Sequence, residues 1–62
     1  MTATITRYRL LARSSRYPWY WGYRVELNGQ RHAFGRYPLA SIRRWCREHG
    51  ATSIVETWTA VP

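Results

Sequence analysis

Asn28-Gly29 separates two alternating runs, Arg24-Val25-Glu26-Leu27 and Gln30-Arg31-His32-Ala33-Phe34. A type I′ turn needs positive φ at both central positions, and asparagine followed by glycine supplies it at least cost, so a β-hairpin is expected here. A two-residue turn also sets the register. Leu27 then faces Gln30, Glu26 faces Arg31, Val25 faces His32, Arg24 faces Ala33 and Tyr23 faces Phe34. Alternation puts Trp21, Tyr23, Val25, Leu27, His32 and Phe34 on one side, the core face. Tyr20, Arg24, Glu26, Arg31 and Ala33 share the other, which is wet and rich in arginine.

Sixty-two residues make a single small basic domain over residues 1–62. A chain of this length buries only ~60% of its unfolded surface. Ten aromatic residues compensate, four of them tryptophan, since each large ring buries ~150–250 Å². A core this small is not expected to hold all four, so an exposed Trp or Tyr would mark a contact surface.

Pro38 opens a predicted helix, Leu39, Ile42, Trp45, Cys46 and His49 recur at helical spacing, and Gly50 is a good stop. The helix is expected over 39–49. Its Arg43, Arg44 and Arg47 are expected on the far, solvated side, with Arg44 and Glu48 as i,i+4 partners. Residues 2–13 read as a strand, being rich in β-branched residues. Tyr8, Leu10 and Ala12 are expected inward, which sends Arg7, Arg9 and Arg13 outward. Ser14 to Pro18 is a connection, a strand follows from about Trp19, and 52–61 returns to strand composition. Gly22 and Gly35 are expected opposite each other. The fold class is therefore α+β: a small antiparallel sheet in the order β-β-β-α-β, with one helix on one face.

Ten arginines against three glutamates give a formal charge of +7, with neither lysine nor aspartate present. Guanidinium binds phosphate and carboxylate bidentately and stacks on rings, although codon usage in a GC-rich genome would also favour arginine. The partner expected is thus nucleic acid, DNA favoured over RNA, or an acidic protein surface. The candidate nucleic-acid-binding residues are Arg7, Arg9, Arg13, Tyr20, Arg24 and Arg31, taken to share one sheet face. Strand arginines supply phosphate contacts and guanine readout, and the ring supplies stacking.

The other chemistries have less support. One cysteine excludes an internal disulfide and a cysteine-based zinc site, and Cys46 on the apolar helix face reads as a core residue. His32 and His49 lack the further ligands a metal needs. The three glutamates form no pairing at sequence level, so no catalytic residue, metal or cofactor is assigned and an enzyme is not expected. No apolar run is long enough to span a membrane, and no leader resembles a signal peptide, so a cytoplasmic protein is expected.

Tyr23-Arg24-Val25, Gly29-Gln30-Arg31 and Phe34-Gly35-Arg36-Tyr37-Pro38-Leu39, followed by Ile42-Arg43-Arg44-Trp45, resemble the arm-type DNA-binding domain of prophage tyrosine integrases. The resemblance spans roughly residues 20–49. It implies a three-stranded sheet whose exposed face enters the major groove, backed by one helix. A strand after the helix departs from that pattern.

The competing reading is a small phage- or plasmid-type protein that binds and inhibits a host protein complex, as anti-CRISPR proteins do. Trp19, Tyr20 and Trp21 would then act as anchors, with Arg43, Arg44 and Arg47 against acidic patches. A monomer or a weak homodimer paired through the edge strand at 52–61 fits either reading.

Overall fold

The structure, a computed structural model, describes residues 1–11 and 19–59. Four strands and a helix follow in the order β1 (Thr2–Leu11), β2 (Trp19–Leu27), β3 (Gln30–Gly35), α1 (Leu39–Glu48) and β4 (Ser53–Thr59). They form one sheet in the order β3-β2-β1-β4 with α1 on one face. The class is small α+β. The first three strands are antiparallel as expected, but β4 pairs with β1 in parallel. The cause is α1 itself, which carries the chain back along the sheet so that β4 starts at the same end as β1 and β3. Ala12, Arg13 and the 14–18 connection lie outside the described residues, as do residues 60–62.

The hairpin forms where the sequence places it. Asn28 and Gly29 both have positive φ, 52° and 77°. The expected pairs hold from Leu27–Gln30 to Arg24–Ala33, and the register then shifts. Gly35, with φ of 58°, stands opposite Tyr23, and Phe34 is the extra residue of a bulge. The expected Tyr23–Phe34 and Gly22–Gly35 pairs are therefore corrected. Phe34 lies on the helix side with His32, and its ring meets Trp45 edge-on at 5.0 Å. Gly22 instead lies across from Tyr8 on β1.

The core is Ala3, Ile5, Val25, Leu27, Ile42, Cys46 and Ala51, with Tyr23, Phe34, Leu39, Trp45 and Ile54 packed around it. Val25, Leu27 and the helix positions match the sequence reading. The orientation of β1 does not. Ala3 and Ile5 point at α1, so Arg7 and Arg9 lie on that same side of the sheet, while Tyr8 is buried on the opposite face. The physical reason is reach. A ten-residue helix is ~15 Å long, whereas a ten-residue strand runs ~33 Å. Only the half of β1 beneath α1 must be apolar, and Ala3 and Ile5 satisfy that half.

The helix ends in a Schellman motif. The Ala51 N–H donates to the Cys46 carbonyl at 2.9 Å and the Gly50 N–H to the Arg47 carbonyl at 3.2 Å. Gly50 has φ of 100°, and a Cβ there would meet nothing closer than the Met1 side chain at 4.0 Å. The cost of a side chain is therefore backbone strain and not a clash. Gly50→Ala should destabilise the domain by about 1–2 kcal/mol, the usual cost of left-handed backbone in an L-residue. Urea unfolding of the two proteins measures it.

Candidate functional site

The sheet divides into two halves along its strands. Beneath α1 run the rows Leu27–Ala3–Ile54 and Val25–Ile5–Glu56. Past the start of α1, on the same side, the next row is Tyr23–Arg7–Trp58, followed by the Trp21–Arg9 pair. Apolar content gives way to arginine alternating with aromatic rings at the point where the helix stops covering the sheet.

These side chains touch. The Arg7 guanidinium lies over the Trp21 ring, 4.3 Å from its centroid. The Trp21 and Trp58 rings meet edge-on with centroids 6.5 Å apart. Trp58 is 52% exposed, a large apolar surface to leave in water. Arg7, Tyr23, Leu39, Glu56 and Trp58 line a cleft of about 280 Å³ against the first turn of α1.

The opposite face carries Tyr20, Arg24, Glu26 and Arg31. Arg36 lies over the Tyr20 ring at 4.7 Å, and Arg31 pairs with Glu26 at 3.8 Å, as the turn register implied. Thr6 and Thr57 hydroxyls bond across β1 and β4 at 3.1 Å. The single arginine face expected from sequence is thus corrected: Arg7 and Arg9 are on the helix side, and Tyr20, Arg24 and Arg31 on the other. The structure gives no position for Arg13, and of Trp19 it describes only the place in β2.

Arg43 also departs from expectation. It does not sit on the far side of the helix but reaches β4, donating from Nε to Glu56 Oε2 at 2.7 Å and from Nη2 to Oε1 at 2.8 Å. This bidentate pair explains the polar residue interrupting the alternation of β4. Hydrogen bonding to Arg43 holds the Glu56 carboxyl below the usual glutamate range, and the same bond raises the guanidinium. Arg44 and Arg47 are exposed on α1.

His32 and His49 both contact Trp45, His49 stacked at 4.0 Å and His32 tilted at 4.8 Å. Cys46 is fully buried, and loss of hydration pushes its thiol up despite nearby Arg47. Among the described residues no group of three or more His, Cys, Asp or Glu is placed to hold a metal ion. No described helix is long and apolar enough to cross a membrane.

Sequence reasoning missed two residues of this surface, Arg36 and Trp58, while Tyr23, expected on the core face, both packs against the core and lines the cleft. The signal for Trp58 was its shared parity with Glu56, a mark that this side of β4 runs beyond the apolar core. Comparison with protein-family models, with curated proteins and with solved structures finds no match to this chain.

Two outcomes follow from these contacts. Since the folded pKa of Glu56 lies below its unfolded value, its stabilisation is present above the ordinary glutamate range and is lost as pH falls through the folded value. Thermal melts should therefore show Glu56→Gln less stable than the parent at neutral pH, with the two converging in acid. Native Cys46 should label slowly with a thiol reagent, and Cys46→Ala should lose about 1 kcal/mol in chemical denaturation.

Proposed function

We propose that this domain binds nucleic acid through the half of its sheet that the helix leaves uncovered. The observation that carries the reading is the Arg7–Trp21–Trp58 cluster, a guanidinium stacked on one ring beside a second, half-exposed ring. Stacked arginine offers its N–H groups to phosphate while the ring orients it, and exposed aromatic faces accept bases. Charge supports the same partner. Two of the three glutamates, Glu26 and Glu56, are engaged by Arg31 and Arg43, so little negative potential opposes a phosphate backbone. Arg24 and Arg36 extend the basic surface to the second face, which the resemblance to integrase arm domains would direct at a DNA groove.

A second reading rests on the same exposed ring. Trp58 and Val55 stand on β4 and Tyr37 follows β3, all three largely exposed, and Trp, Tyr and Arg are the residues that anchor protein interfaces. An inhibitor of a protein complex would use them against an acidic rim.

Salt-titrated binding to duplex DNA, single-stranded DNA and RNA separates the two. Arg7→Ala and Arg9→Ala should weaken binding and flatten the plot of log affinity against log salt by roughly 0.9 per lost contact on duplex, or 0.7 on single strands. Arg44→Ala, exposed on α1 beside Phe34 and Tyr37 and outside the cleft, should change it less. A folded domain that binds none of the three at low salt overturns the nucleic-acid reading.

A further inference from the structure

We infer that the cleft between Trp58 and Tyr23 is a seat for one unstacked nucleobase, so that the domain prefers single-stranded over duplex nucleic acid. This rests on the nucleic-acid reading above and specifies its substrate. Tyr23 and Trp58 belong to β2 and β4, with Arg7 of β1 between them in the same row. The two flanking strands are two sheet spacings apart, ~9–10 Å, and Tyr23 and Trp58 line the cleft from those two strands. Arg7 does not fill that space, because its guanidinium lies over Trp21. Leu39 closes the helix end and the cleft holds about 280 Å³. That is just below the ~300–1,000 Å³ of pockets for small organic molecules, a size that suits one planar base and not a larger ligand.

The chemistry of the walls matches a base followed by phosphate. Trp58 meets Trp21 only edge-on, and half of its surface is exposed for stacking. Arg7 and its neighbour Arg9 flank the rings, placing positive charge where the backbone leaves the cleft. Glu56 also lines the cleft, and its carboxylate would repel phosphate were it not bonded at both oxygens by Arg43. Duplex DNA fits this seat poorly. Its bases are stacked on both faces, and extracting one costs a few kcal/mol. The helix, ~10–12 Å across, also stands as a step beside the cleft.

The test compares three fluorescein-labelled probes at one salt concentration: oligothymidylate, an abasic strand of equal phosphate number, and a blunt duplex of the same length. The intact domain should bind oligothymidylate more tightly than either of the others. The margin over the abasic strand should be roughly 5- to 150-fold, the range that stacking of one base supplies. Trp58→Ala should erase that margin, and Trp58→Phe should restore part of it. The abasic comparison needs no substitution, so it decides the matter even if Trp58→Ala fails to fold. Equal affinity for the abasic strand and oligothymidylate overturns the base seat but leaves nucleic-acid binding standing. Failure of every probe at low salt overturns both. Polyglutamate binding as tightly as oligothymidylate overturns the seat in favour of a general polyanion surface.

Discussion

A helix rises 1.5 Å per residue and a strand about 3.3 Å, so the ten residues of α1 shelter about half of the ten residues of β1. The rest of the molecule is arranged around that mismatch. Under α1, every inward position of β1 and β2 is Ala, Ile, Val or Leu, and Ile42 and Cys46 complete the packing from above. Beyond it, the same face must meet water. Arginine and tryptophan can live there because each combines a flat or extended apolar body with a polar or cationic end. The two halves share a continuous hydrogen-bonded sheet, so the core that fixes Ile5 and Val25 also fixes the backbone that displays Arg7 and Trp21.

Much of the fold was legible because local chemistry decides it. Asn28-Gly29, the spacing of Leu39, Ile42 and Trp45, and the Gly50 stop each act within a few residues, and tertiary structure did not override them. The facing of β2 was legible for the same reason, since its apolar positions alternate without a break. β1 was not. Ala3 and Ile5 occupy one parity and Tyr8 and Leu10 the other, so composition gives two answers. Tertiary reach selects between them: α1 lies over the Ala3 and Ile5 end. The parallel pairing of β4, the bulge at Phe34 and the Arg43–Glu56 bond likewise depend on elements distant in sequence. Arg7, Arg9 and Trp21 were therefore named from sequence, while Trp58 and the division of the arginines between two faces were not.

The electrostatics follow from the same geometry. Glu26 meets Arg31 across the hairpin because the turn puts them opposite. Glu56 meets Arg43 because α1 and β4 lie side by side. Exposed pairs of this kind contribute little to stability, ~0–1 kcal/mol. Their larger effect is to cancel two carboxylates, which leaves the arginines beside the rings as the dominant local charge. Stability and display are thus handled by different residues: the apolar rows hold the sheet, and the pairing of glutamates shapes its potential.

The parallel partnership of β1 and β4 has a consequence for how the chain acquires its structure. Those two strands join residues 51 positions apart, as the Thr2–Ser53 hydroxyl contact illustrates. Closing so long a loop costs entropy that no local contact offsets beforehand. The β2–β3 hairpin and α1 can organise early from neighbouring residues, but β1 keeps an unpaired edge until β4 arrives. Long-range pairing of this kind slows folding relative to helical domains of similar size. Pairing of β4 turns β1 from an edge into an interior strand and brings Trp58 beside Trp21, so the aromatic cluster depends on this long-range pairing.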